Sequence, residues 1–224
     1  MNFYPLPDVI PAPSSPVAIA IDVLRATSVM AVLLSQGASS IRLTDSLEKT
    51  DDGAVWVGER EGKIIPGYDF GNSPVELLSH RFDGKNAVMN TTNGTRLITT
   101  LQQHYEQIIM LSFVNFNAVK AYCLKHSLVP DVYCAGSEGG FSPEDAACGA
   151  MLCTELDPEN QSEYIRHIIP REELLRTQHA HYLCEIGFSD DVTFCMRKNV
   201  IDVVPILQIV QGDILSCAIK HAVM

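Results

Sequence analysis

The sequence predicts an α/β fold with three layers, α/β/α, around a largely parallel sheet in which mixed strand order is also admitted. Short apolar runs rich in Val and Ile alternate with segments of helical period between residues 17 and 155. Glycine, proline and small polar residues punctuate the junctions. Almost every apolar run also ends in a polar cluster, as strands do in parallel sheets that carry a site at their carboxyl ends.

The elements follow in order. Residues 1–16 carry five prolines without periodicity and read as an extended arm. Residues 17–21 form a strand ending at Asp22, and 26–36 a helix stopped by Gly37. Strands are predicted at 40–43 and 55–57, the second ending at Gly58-Glu59-Arg60, and a Gly/Pro-rich loop over 61–74 leads to a short helix at 75–80. The unit then repeats as strand 87–89 with helix 95–103, strand 108–111 with helix 118–126, and strand 132–134 with helix 144–155. Residues 157–224 are less regular, with a helix over 172–187, a strand at 203–207 and an edge strand within 210–219, packed on the same sheet. One domain over residues 1–224 is expected, without internal repeat or linker.

With 46% hydrophobic and 19% charged residues, the chain has enough apolar material for a sizeable core and is not a disordered sequence. No apolar run approaches ~18 residues, and no secretory signal is evident, so no membrane partner is expected. Sixteen Lys plus Arg against 27 Asp plus Glu leave a net charge of −11 and no basic cluster, which excludes a nucleic-acid partner. Seven scattered cysteines without CxxC read as reduced thiols of a cytoplasmic protein.

The polar clusters at the strand ends carry the functional reading. They are Asp22/Arg25/Thr27, Glu59/Arg60, Thr91/Thr92/Asn93/Thr95, Ser112/Asn115/Asn117 and Ser137/Glu138/Ser142/Glu144/Asp145. Taken singly, each Ser or Thr is explained as a helix cap or turn residue. Capping does not need Arg25, Glu59, Arg60, Glu144 and Asp145 as well, so the set is expected to meet on one rim. Arg25 at a helix start suits an oxyanion, with an internal Asp22–Arg25 ion pair as the other reading. Thr91-Thr92-Asn93-Gly94-Thr95 is a turn in which hydroxyls and N–H groups could cradle oxyanions. Glu144 and Asp145 suit the first turn of a helix capped by Ser142. Asp22, Glu59, Asp69, Glu144 and Asp145 outnumber the two rim arginines, and hard carboxylate oxygens of this kind suit Mg²⁺. No Walker loop, HExxH, GxSxG elbow, zinc signature or Asp-x-Asp phosphatase motif occurs. His179 and His181 read as structural or exposed.

The segments AIAIDVLRATSV (18–29), VGEREGKIIPGYDFGNSPVE (57–76), TTNGTRLI (91–98), SFVNFNAV (112–119), GSEGGFSPEDAACGAML (136–152) and HYLCEIGFSDDVTFC…VVPIL (181–207) resemble the 2-phosphosulfolactate phosphatase (ComB) family, in order and over nearly the whole chain. The resemblance implies a Mg²⁺-dependent hydrolase that converts (2R)-2-phospho-3-sulfolactate to 3-sulfolactate and phosphate, a step of coenzyme M biosynthesis in methanogens. In that light Asp22, Glu59 and Asp145 are the expected metal or water ligands, and Glu144 a supporting group or general acid. Arg25, Thr27, Arg60, Thr92, Asn93, Gly94 and Thr95 are expected to hold oxyanions, with Asp69 and Asn72 orienting the substrate. A phosphatase for another phosphorylated 2-hydroxy acid, and a non-catalytic sensor of such metabolites, are the alternatives. The expected partner is a small anionic phosphorylated substrate, and homo-oligomerisation is left open.

Overall fold

A computed structural model describes residues 1–7, 11–50, 53–208 and 219–221. Its strands are β1 (Phe3–Tyr4), β2 (Val17–Ile21), β3 (Ser40–Leu43), β4 (Val55–Arg60), β5 (Lys63–Ile64), β6 (Asn86–Asn90), β7 (Gln107–Leu111), β8 (Asp131–Cys134), β9 (Pro205–Gln208) and β10 (Ile219–His221). Its α-helices are α1 (Ala26–Ser35), α2 (Pro74–Leu78), α3 (Gly94–Leu101), α4 (Phe116–Lys125), α5 (Pro143–Leu156), α6 (Gln161–Tyr164), α7 (Arg171–Leu174), α8 (Gln178–Glu185) and α9 (Ser189–Cys195). The sheet order is β1-β8-β2-β7-β9-β10-β3-β6-β4-β5.

β2 shows why the centre of the sheet sits where it does. Its Val-Ala-Ile-Ala-Ile run is wholly buried and pairs in parallel with both β7 and β8, as an unbroken apolar strand covered on two faces should. α1 is buried along nearly its whole length and packs against β7, α2 and α3, whereas α5 lies against β1, β2 and β8. Gly149 makes the α5 contact close: a Cβ there would stand 2.7 Å from the Phe3 ring and 3.0 Å from Ile21 Cδ1. A second small apolar cluster, Trp56, Ile65, Tyr68 and Val88, packs under β4 and β6. No helix among the described residues is long and apolar enough to cross a membrane.

The sheet is mixed, and its direction reverses. β1, β8, β2 and β7 are mutually parallel, as are β3, β6 and β4, but β9 and β10 join the two blocks through antiparallel ladders, so the blocks run in opposite senses. A single rim of parallel carboxyl ends is therefore not how the polar clusters meet. β2 and β4 lie six positions apart, and sheet twist of roughly 20–25° per strand accumulates to about 120–150° over that span. Twist of that size is compatible with the close approach of Gly94, after β6, to Asp22 and Ala26, after β2.

Other differences from the sequence reading are local. β4 continues through Glu59 and Arg60, so both belong to the strand. The proline-rich arm contributes β1, which pairs with β8, and Ser14 is tied to the sheet by Asp131. The helix expected over 172–187 is two helices, with Thr177 starting α8 as its N-cap. The edge strand expected within 210–219 lies outside the described residues except for Ile219, which begins the interior strand β10.

The buried Asp131 side chain accepts hydrogen bonds from Ser14 N, Ser14 Oγ and Tyr105 Oη at 2.8, 2.5 and 3.0 Å, and one from Asn2 N at 3.3 Å. Asp131→Ala is expected to lower stability by about 1.5–3 kcal/mol and to speed hydrogen exchange at the Val132 amide, which bonds Asn2 O. Thermal unfolding and native-state exchange check this; unchanged exchange would show that β1 is held by other contacts.

Candidate active site

The turn from β2 into α1 is locked by its own side chains. Asp22 Oδ1 accepts from Ala26 N at 3.2 Å. The Thr27 hydroxyl lies 2.8 Å from Asp22 O and 2.7 Å from Leu111 O, and accepts from Asp22 N at 3.1 Å. Thr27 is thus committed to backbone, where it sets the position of Asp22 and does not line the cavity.

Arg25 is committed too, but not to Asp22. Its Nη1 pairs with Asp191 Oδ2 at 2.8 Å, its Nη2 donates to Gly62 O at 3.1 Å, and its guanidinium lies over the Phe188 ring. Asp191 Oδ1 also accepts from Ser73 Oγ and Val75 N, so α9 is clamped to α1 and to the start of α2. Asp191, on a helix absent from the sequence reading, had as its one signal the run Phe-Ser-Asp-Asp at residues 188–191.

At the other block, Glu59 Oε1 accepts from Thr92 N and Oε2 from Gly62 N, both at 2.9 Å. Arg60 donates to Glu59 O and to Asn90 Oδ1. Thr91 and Thr95 bond one another across the first turn of α3. Gly94 is required here, because a Cβ would fall 2.4 Å from Ala26 Cβ and 2.9 Å from Asp22 Oδ2. This close approach is what brings the end of β6 to the end of β2.

A cavity of about 320 Å³ opens between these segments, lined by Asp22, Arg25, Glu59, Arg60, Asn72, Thr91, Thr92 and Asn93, with Ser137, Glu138, His179 and Tyr182 on its far side. A second cavity of about 240 Å³ shares Ser137, Glu138, His179 and Tyr182 and reaches Glu144. Gly94 and Thr95 stand behind the wall. Asp145 is buried beside it, accepting from Val23 N at 2.8 Å and Gly136 N at 3.2 Å. Asp69 is elsewhere, paired with Lys49 in a groove lined by His80, Arg81 and Lys85. Ser112 and Asn115 are also off the site, closing a capping box whose Asn115 amide bonds Met110 O and Val203 O. His179, read from sequence as structural or exposed, lines both cavities; His181 is exposed beside Glu185.

Crowded acids govern the electrostatics. Burial pushes the Asp22 carboxyl from 3.8 up to about 6, with the charges of Glu59 and Glu144 adding to the rise and the Ala26 N–H and His179 opposing it. Burial, then Asp22 and Glu144, likewise push Asp145 well up.

A family model described as 2-phosphosulpholactate phosphatase matches residues 4–209. The chain belongs to the 2-phosphosulfolactate phosphatase family. Curated relatives named "Probable 2-phosphosulfolactate phosphatase" include one from Thermotoga maritima, 36% identical over 89% of this chain and 94% of the relative. Those from Gloeobacter violaceus and Carboxydothermus hydrogenoformans are 31% and 35% identical, over 92% and 84% of this chain and 94% and 84% of theirs. This member of the 2-phosphosulfolactate phosphatase family is accordingly a phosphatase.

Among the described residues no group of three or more His, Cys, Asp or Glu side chains is spaced to hold a metal ion. Asp145 gives both oxygens to backbone N–H groups off the cavity. Mg²⁺ needs only one or two protein carboxylates when substrate phosphate and water complete its shell. Asp22 and Glu59 line the cavity from the two strand blocks. Both Glu59 oxygens also accept a backbone N–H, but each carboxylate oxygen has a second lone pair that a cation could take.

Between pH 3.8 and about 6 the folded protein holds a proton on Asp22 that the unfolded chain has lost, so stability falls as pH rises through that window, by about 3 kcal/mol. Asp22→Asn is expected to melt above the parent at neutral pH, with the gap closing as pH drops to about 4; an equal gap at both ends would contradict the raised carboxyl. Gly94→Ala is expected to cost about 1–3 kcal/mol by overpacking, read by denaturant unfolding, and unchanged stability would mean that α3 can withdraw freely from α1.

Proposed function

We propose that the chain hydrolyses 2-phospho-3-sulfolactate to 3-sulfolactate and phosphate with Mg²⁺ held by Asp22 and Glu59. The observation that carries this reading is one small cavity walled by carboxylates and by cationic and N–H groups together. A substrate with phosphate, carboxylate and sulfonate groups presents three anions, and an acidic cavity alone would repel them. Bound there, a divalent cation supplies charge neutralisation and polarises the phosphoryl oxygens.

The chain's own residues do the positioning. Arg60 is held by its hydrogen bonds to Glu59 O and Asn90 Oδ1 and brings a cationic side chain to the cavity wall. The start of α3, over Asn93 and Gly94, offers the N–H groups and positive dipole end that favour an oxyanion. Asn72 lines the cavity with a buried side-chain oxygen that has no hydrogen bond among the described residues, a group that a ligand or water would complete. Phosphate monoesters are among the slowest biological bonds to hydrolyse, so fixed charge and orientation of this kind must supply most of the acceleration.

Phosphate release from 2-phosphosulfolactate, 2-phospholactate and 2-phosphoglycerate, measured side by side, is the test. The highest kcat/KM is expected on the sulfonate, with activity abolished by EDTA and restored by Mg²⁺. Faster turnover of another ester would move the substrate assignment to it, and turnover surviving EDTA would remove the metal. Asp22→Asn is expected to lose activity while gaining stability.

A further inference from the structure

Glu144 stands at the second position of α5, fully buried, and neither carboxylate oxygen has a hydrogen bond among the described residues. Such a group, stripped of water, stays charged only where other charge compensates it. The N-terminal end of α5 supplies part of that compensation. Its one ion-pair partner among the described residues is His179, whose Nδ1 lies 3.3 Å from Glu144 Oε1. A merely structural acid at a helix start would face solvent or cap the backbone. Here Ser142 already caps the helix and Asp145 already ties it to the turn after β2.

His179 sits at the boundary of the two cavities and lines both, and its charge acts on Asp22 across the first of them. Its side chain is 21% exposed, so it is reachable from the cavity yet held in place. With Nδ1 turned to Glu144, the ring's second nitrogen, Nε2, makes no hydrogen bond among the described residues. A histidine within ion-pair range of a buried carboxylate through one nitrogen, with the other without a hydrogen bond beside a cavity, matches the arrangement of an acid–base group and its orienting partner.

We propose that His179 is the catalytic proton donor to the leaving-group oxygen of the phosphate ester, and that Glu144 is the positioning residue that orients the ring and balances its charge. The bond between phosphorus and the bridging oxygen breaks with its electron pair left on that oxygen, which takes the proton from Nε2 and departs as the alcohol. The oxygen of a water molecule forms the new bond to phosphorus. A proton from that water restores the ring, so the sum is ester plus water giving alcohol plus hydrogen phosphate. The proposal rests on the hydrolysis of a phosphorylated 2-hydroxy acid argued above.

The test compares 2-phospholactate with its 3,3,3-trifluoro analogue, nearly the same in shape but with a more acidic leaving alcohol that departs with less help. Steady-state kcat is measured for the parent, His179→Ala, His179→Gln and Glu144→Gln, each checked for an unchanged melting profile. The glutamine variant carries the comparison should the alanine variant not fold. His179 variants are expected to lose roughly 10²–10⁴-fold on 2-phospholactate and much less on the fluorinated ester, and Glu144→Gln to show the same asymmetry to a smaller degree. Equal loss on both esters, or no loss, overturns the proton-donor role. A parent that releases phosphate from neither ester nor from 2-phosphosulfolactate overturns the substrate class proposed above, and the donor with it.

Discussion

The constraint on which this structure depends is the burial of four carboxylates around one small volume. Asp22, Glu59, Glu144 and Asp145 all lie below the surface, and carboxylates so placed are tolerated only if each finds donors or a counter-charge. Three find backbone. Asp22 takes the Ala26 N–H, Glu59 takes those of Gly62 and Thr92, and Asp145 takes those of Val23 and Gly136. The main chain around the site is therefore shaped to hold the acids, and the acids in turn hold the loops. Glu144 alone is left to a side chain, His179.

A second consequence concerns the last third of the described chain. Residues beyond α5 do not simply cover the sheet. Asp191 on α9 neutralises Arg25 and gathers Ser73 and Val75, while α8 supplies His179 and Tyr182 to the cavity wall. Breaking a buried ion pair of the Arg25–Asp191 kind leaves a lone charge in the interior. The site is thus assembled only once α8 and α9 have docked, which links the integrity of the cavity to long-range packing.

The fold was legible wherever local signals and tertiary demands agree. The apolar runs became β2, β3, β6, β7 and β8, and Gly37 ends α1 at a positive φ of 95° as a stop glycine should. Legibility ended where the deciding contact is far away in sequence. Phe3 and Tyr4 become a strand only because β8 offers a free edge, and residues 172–187 break because Thr177 can cap a second helix that must turn its face to the cavity. Within the site, Asp22, Glu59, Arg60, Asn72, Thr92 and Asn93 could be picked out as polar residues with no packing use. Thr27, Thr95 and Asp145 bear the same chemistry and yet are spent on backbone, or on another side chain that is. Composition cannot separate a hydroxyl facing a ligand from one facing a carbonyl.

By itself the sequence determined the alternation of strands and helices, the acidic and polar character of the loops, and the family, because these reside in local order and in motifs of contiguous residues. The tertiary structure alone decided that the two strand blocks oppose each other, that the bare backbone at Gly94 lets their ends meet, that Arg25 answers to Asp191, and that His179 faces Glu144. Those facts depend on distances between residues tens to more than a hundred positions apart, and through-space electrostatics and close packing have no counterpart in linear order.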